Sequence, residues 1–212
     1  MNDIIGFDAD GVLLDSRDQA FKVATGIRAL LGANGELAEQ GDFGLLFGVE
    51  ALAELVGHHR ADALRATHRL AMLRAAGQIL RLEDTLAVVA RQVMPCVVIT
   101  AAYAEGVSIA LGHHARIFQS ITGFEAGRKS EIMATFASRL RVYVTDSISD
   151  LRICQRLGVP TIAVAGGYDK AEDLSAAGAD HVASTPGELE EALAQFHPQQ
   201  TSHMKENSHE LQ

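Results

Sequence analysis

The stretch "VYVTDSISDLRICQRLGVPTIAV", residues 142–164, decides how this chain is read. Val142–Thr145 is a short apolar run that reads as a buried strand. Ile148, Leu151, Cys154 and Leu157 then recur every third residue, as on one face of a helix. Gly158 fits the helix C-terminus, Pro160 stops the helix, and Thr161–Val164 reads as the next strand. Further short apolar runs stand at Ile4–Phe7, Cys96–Thr100, Ile117–Thr122 and His181–Ala183, most of them separated by helical patterns. Strands alternating with helices predict an α/β fold: a Rossmann-like parallel sheet with helices on both faces.

Residues 16–85 break that alternation. They are almost purely helical in pattern, rich in Ala, Leu and Arg, and interrupted by "LLGANGELAEQGDFG". A helical block between the first two strands of the sheet predicts a small cap domain inserted over it. The expected division is a core of residues 1–15 and 86–196, a cap of 16–85, and a disordered tail of 197–212. The tail, "HPQQTSHMKENSHELQ", has little apolar content.

Composition narrows the function classes. The 212 residues are 48% hydrophobic, enough for one α/β core and one small further domain. A net charge of −9 argues against a nucleic-acid backbone as partner. Neither a secretory leader nor a membrane span is expected, since no apolar run approaches the ~20 residues a span requires. Cys96 and Cys154 lie in apolar surroundings and read as reduced core residues, consistent with a cytoplasmic location.

In open α/β sheets, ligands bind beyond the carboxyl ends of the strands. The opening segment "DIIGFDADGVLLDS", residues 3–16, delivers Asp8 and Asp10 there. The second strand ends at Thr100. The strand of residues 142–145 delivers Asp146 and, one helical turn on, Asp150. Lys129, in "GRKSEIM", opens the helix after Ile117–Thr122. Clustered carboxylates repel unless a cation holds them, and an all-oxygen set suits Mg²⁺. A metal-supported Asp can attack phosphorus, and a second carboxyl group can move the proton of the leaving alcohol. A Lys and a Thr hydroxyl can bind the phosphoryl oxygens. Each residue also has a plainer reading: Asp-x-Asp-Gly as turn chemistry, Ser147-x-x-Asp150 as a capping box, Thr100 as a strand end, Lys129 as a solvated lysine.

Taken together, these residues resemble the haloacid dehalogenase superfamily of phosphohydrolases. "FDADGVLLDS" is similar to its first motif, which implies Asp8 as nucleophile and Asp10 as acid/base. "VVIT" is similar to the second, with Thr100 and the adjacent Ala101 at the phosphate. Lys129 matches the third. "TDSISD" matches the fourth, with Asp146 as a Mg²⁺ ligand and Asp150 supporting the metal, so that Asp8, Asp10, Asp146 and Asp150 form the implied metal set. The late stretch "AGGYDKAEDLSAAGADHVASTPGEL" resembles the phosphoglycolate phosphatase branch. Thr145 departs from the pattern, standing where a Gly usually precedes the acid; Ala101 stands where a Ser or Asn is common.

The resemblance implies a Mg²⁺-dependent phosphomonoesterase acting through an aspartyl-phosphate on a small phosphorylated metabolite such as 2-phosphoglycolate, as monomer or homodimer. A phosphomutase is disfavoured because Phe47, Val49 and Glu50 surround Gly48, where mutases place basic residues. A non-catalytic phosphate-binding protein is the remaining alternative, and the presence of every catalytic acid argues against it. In the cap, Arg65 and Arg69 are four residues apart and share a helical face. They are candidates for a second anionic group of the substrate, against the plainer reading of a solvated face. Ala63, Ala66, Leu70 and Leu73 are expected to form that helix's core side. His113, His114 and the tail histidines His197, His203 and His209 are not expected to bind metal.

Overall fold

The computed structural model describes residues 3–30 and 58–197. Six parallel strands form one sheet: β1 (Ile4–Phe7), β4 (Cys96–Ile99), β5 (Phe118–Thr122), β6 (Leu140–Thr145), β7 (Thr161–Val164) and β8 (His181–Ala183), in the order β5-β4-β1-β6-β7-β8. The chain runs outward from β1 through β4 to β5, then crosses back to β6 on the other side of β1. Strand order therefore reverses between β1 and β6, the place where open α/β sheets bind ligands.

Alternation along the strands fills two cores. Ile5, Phe7, Val98, Val142, Val144 and Ile162 point to one face. There they meet Leu86 and Val89 of α3 (Glu83–Ala90), Val107 and Leu111 of α4 (Ala104–Leu111), and Leu189 and Leu193 of α8 (Pro186–Ala194). The helices of the inserted segment before α3 are α1 (Arg17–Leu30) and α2 (His58–Ala75). Ile4, Val97, Ile99 and Tyr143 point to the other face, against Ile132 and Met133 of α5 (Lys129–Phe136) and Cys154 of α6 (Ile148–Leu157). Leu151, Ala163 and Leu174 of α7 (Ala171–Ala176) complete that side. Both faces being covered explains why the strands read as continuous apolar runs.

Gly6 pairs with Tyr143 across β1 and β6. A Cβ at Gly6 would come within 2.7 Å of the Tyr143 ring, so the glycine lets that ring lie across β1. The Tyr143 hydroxyl then donates to Ile99 O at 2.7 Å, stitching β6 to β4 over the strand between them. In α6, Gly158 takes the left-handed conformation at the helix end (φ 67°), as the sequence predicts.

The segment between β1 and β4 leaves and rejoins the sheet through a ribbon that the sequence did not announce. β2 (Leu14–Asp15) and β3 (Leu80–Arg81) pair antiparallel, and Leu82 N–H donates to Leu13 O at 3.0 Å. Helix α2 turns a different face inward from the one expected. Leu64 is buried, Arg65, His68, Arg69, Met72 and Leu73 are partly buried, and Ala63, Ala66 and Leu70 are exposed. Of the expected core side only Leu73 turns inward; it packs beside Gly106 of α4, where a Cβ would meet Leu73 at 3.3 Å.

His197 also belongs to the fold rather than to a tail: half-buried, its Nε2 lies 3.0 Å from Gln92 Oε1. His203, His209 and the Gly48 loop lie outside the described residues. Cys96 and Cys154 are buried and unbridged, and burial pushes each thiol up to about 12. Among the described residues, no helix is long and apolar enough to cross a membrane.

Candidate active site

Asp8 follows β1 directly, and its carboxylate turns back to accept from Ala9 N–H at 2.7 Å. Lys129, the first residue of α5, reaches Asp8 Oδ1 at 2.8 Å and Asp150 Oδ2 at 2.5 Å. All three are largely buried. Lys129 is therefore an internal counter-ion between the carboxyl ends of β1 and β6, and the solvated-lysine reading fails.

Asp150 does not cap its own helix. The side chain of Ser147, at the helix start, makes no capping bond, and Asp169 from the following loop takes Ile148 N–H at 2.7 Å instead. Asp150 Oδ2 is engaged by Lys129 and by the Thr145 hydroxyl, which donates at 2.9 Å. Thr145, a departure from the family pattern, holds this carboxylate in place and also accepts from Ser147 N–H at 3.2 Å.

Asp146 sits in a cradle. A Cβ at either Gly11 or Gly167 would overlap its carboxylate. Gly11 also has a φ of 71°, which L side chains rarely adopt. Tyr168 N–H donates to Asp146 Oδ2 at 2.7 Å, so the Gly-Tyr stretch closes over the acid. Tyr168 itself stands near Ser16, hydroxyl to hydroxyl at 3.4 Å.

Thr100 is fully buried, and its Oγ1 accepts from Ala102 N–H at 3.0 Å. That bond tightens the turn after β4 and holds the side chain behind the surface. The cavity wall there is made by Ala101 and Ala102, not by Thr100.

Charge in the site is unbalanced. Burial raises Asp8 well above the usual carboxylate range; Lys129 opposes this, while Asp150, Asp146 and Asp10 add to it. Asp10 is raised by burial against a hydrogen bond from Ser16 and the charge of Lys129. Burial lifts Asp146 to about 7, against the Tyr168 N–H and Lys129. Burial works against the Lys129 ammonium, but the carboxylates of Asp150 and Asp8 outweigh it and raise its pKa. One ammonium thus shares the floor with four carboxyl groups, whose all-oxygen donors would suit a divalent cation.

The four carboxylates expected to hold the metal, Asp8, Asp10, Asp146 and Asp150, all line one cavity. Among the described residues, no three acidic, histidine or cysteine side chains converge as a metal cage. Asp150 Oδ2 is engaged by Lys129 and Thr145, which leaves Oδ1 as the oxygen it could offer a cation. The residues that fit are Asp8 and Asp146, at adjacent strand ends with raised pKa values. Mg²⁺ keeps several waters and is commonly bound through only one or two carboxylates.

Above these residues lies a cavity of about 580 Å³. Its floor is Asp8, Asp10, Lys129, Asp146 and Asp150. Arg65 and Arg69 both line it, so the arginine pair faces the cavity rather than open solvent. Arg69 Nε donates to Ala101 O at 3.1 Å, and its guanidinium lies 3.5 Å from the Phe124 ring centroid. Arg65 Nη2 contacts Asp62 at 2.6 Å. His113 and His114 stack on each other near the surface, and His114 Nε2 lies 3.1 Å from Glu83, away from the cavity.

This architecture is the fold of haloacid dehalogenase-like hydrolases. A haloacid dehalogenase-like family hydrolase from Streptococcus pneumoniae superposes with a TM-score of 0.73 at 18% identity, over 92% of this chain and 99% of that one. A hydrolase from Pseudomonas syringae gives 0.74 at 17% identity, over 93% and 100%. CbbY from Rhodobacter sphaeroides, solved in complex with phosphate, gives 0.67 at 22% identity, over 89% and 96%. No family model and no curated protein sequence matches the chain.

Proposed function

We propose that this protein is a phosphomonoester hydrolase in which Asp8 attacks phosphorus and carries the phosphoryl group as an aspartyl-phosphate. The observation that supports this most directly is the Lys129 ammonium, 2.8 Å from Asp8 and 2.5 Å from Asp150 at the strand-order reversal. Lys129 opposes the burial that raises Asp8, orients its carboxylate, and offers a donor to the phosphoryl oxygens as charge develops on them. Asp10, two residues on and lining the same cavity, gives a proton to the leaving alkoxide and then takes one from the attacking water. Burial raises its pKa, the direction that suits a general acid. Asp8 and Asp146 would hold Mg²⁺, which supplies charge neutralisation for the phosphate. Asp150 acts one step back, fixing Lys129. Thr100 shapes the loop whose surface residue, Ala101, meets the phosphate.

The inserted segment serves as a cap over this floor. Arg69 ties it to the core at Ala101 and Phe124, and Arg65 faces the leaving group. The resemblance of the late Gly-Tyr stretch to the phosphoglycolate phosphatase branch supports a small phosphorylated metabolite as substrate. Phosphate release from an aryl phosphate, with and without Mg²⁺, tests the reading. Mg²⁺-dependent turnover is expected. A folded protein that binds phosphate without turnover would point to a phosphate-binding protein instead.

A further inference from the structure

The cavity above the catalytic floor offers more room, and more apolar wall, than a two-carbon acid would fill. Its volume of about 580 Å³ falls within the roughly 300–1,000 Å³ of sites that enclose drug-sized ligands. Leu14, Met72, Leu73, Ala76, Ile79 and Val107 make up much of its wall. A sugar phosphate would bring hydroxyls against these apolar side chains, and each one left without a partner there costs roughly 1–3 kcal/mol. 2-Phosphoglycolate, with its phosphate at Asp8, has no carbon body to cover it.

The two cavity arginines are not equivalent. Arg69 is committed to the core, its Nε on Ala101 O at 3.1 Å and its face on Phe124. It is a positioning residue that sets where α2 sits. Arg65, one helical turn earlier, has a buried Nη1 with no hydrogen-bond partner among the described residues. Its Nη2 partner, Asp62, is 75% exposed and makes a solvent-screened pair. A guanidinium cannot shed its charge to relieve a buried donor. What it lacks is an acceptor, and a carboxylate is the one that suits a guanidinium fork.

Resting on the phosphatase reading, we infer that the leaving alcohol is an apolar hydroxy acid: an aromatic or aliphatic body seated on the Leu73–Val107 wall, with a carboxylate that reaches Arg65. Turnover of four esters by the full chain with Mg²⁺ tests this: benzyl phosphate, 4-carboxybenzyl phosphate, 2-phosphoglycolate and glucose 6-phosphate. The benzyl esters leave as ordinary alkyl alcohols, so reactivity of the leaving group does not distort the comparison. The expected order places 4-carboxybenzyl phosphate about tenfold or more above 2-phosphoglycolate and glucose 6-phosphate in kcat/KM. Arg65→Met should raise KM for the carboxybenzyl ester about tenfold or more, and for benzyl phosphate by a clearly smaller factor. Arg65→Lys, which keeps the charge, should fall between. A preference for 2-phosphoglycolate or the hexose phosphate, or equal losses on both benzyl esters, overturns the inference and leaves the phosphatase reading standing. With 4-nitrophenyl phosphate assayed beside the four, turnover of it alone does the same. Absence of turnover on every ester overturns both.

Discussion

Thr145 donates its hydroxyl to Asp150 at 2.9 Å from the end of β6, and so fixes the carboxylate that in turn fixes Lys129. Thr145→Val keeps the shape and removes the donor. It leaves Asp150 and Ser147 N–H each short of a partner inside the protein, at a cost of about 1–3 kcal/mol of stability. Turnover should fall about tenfold with KM little changed, because the lysine loses its alignment rather than its charge. Thr145→Ser should restore most of both. Steady-state kinetics beside urea unfolding separates the two effects.

Lys129→Ala should lower kcat by ~100- to 1000-fold, the usual effect of losing one such contact to developing charge. Lys129→Arg should rescue only in part, since a planar fork cannot stand in for a compact ammonium between two carboxylates. Initial rates under saturating Mg²⁺ check this, and a loss below about threefold, roughly 0.6 kcal/mol, would return Lys129 to a structural role.

Gly167→Ala places a methyl group against the Asp146 carboxylate. The acid must rotate out of its cradle, so the Mg²⁺ concentration for half-maximal activity should rise about tenfold or more, consistent with the effect of disturbing a metal ligand's surroundings. A Mg²⁺ titration of activity, with circular dichroism to confirm the fold, reads this directly. An unchanged titration would show that Asp146 does not serve the metal.

Asp8, Asp10 and Asp146 all have carboxyl pKa values raised by burial, Asp146 to about 7. A raised carboxyl holds its proton in the folded chain after the unfolded chain has released it. The folded state therefore binds more protons between roughly pH 4 and 7, and stability falls as pH rises through that window. Without Mg²⁺ these three groups make the protein less stable at pH 8 than at pH 5. His68, whose pKa is lowered first by burial, acts in the opposite sense at the acid end. Mg²⁺ binds the ionised form, so its addition should raise Tm more at pH 8 than at pH 5. Thermal unfolding at both pH values, with and without Mg²⁺, gives the comparison.

The sheet was legible because both its faces are covered, which turned its strands into apolar runs. The acids were legible because each follows such a run. The two-residue strands Leu14–Asp15 and Leu80–Arg81 were not, since two residues carry no period. The inward face of α2 was misread for a physical reason: it looks onto a cavity, so Arg65, His68 and Arg69 occupy it while Ala63, Ala66 and Leu70 face outward. Thr145 was read as a departure from a pattern, and its bond to Asp150 depends on a neighbour four residues beyond Asp146 that only the folded helix brings back. Thr100 was read as a phosphate contact; its Oγ1 accepts from Ala102 N–H in the turn after β4, which leaves its own O–H as the donor.

In the proposed reaction Asp8 carries the phosphoryl group. Acid-quenching the enzyme during turnover of an aryl phosphate, then mapping its peptides by mass spectrometry, would locate that group. Asp10→Asn removes the proposed base for hydrolysis of the intermediate, while an aryloxide leaves without needing its proton, so the intermediate should accumulate. The expected result is a phosphoryl group on Asp8 in wild type and Asp10→Asn, with neither label nor turnover in a folded Asp8→Asn. Near-normal Mg²⁺-dependent turnover by Asp8→Asn, or a phosphoryl group mapped to another residue, would contradict it.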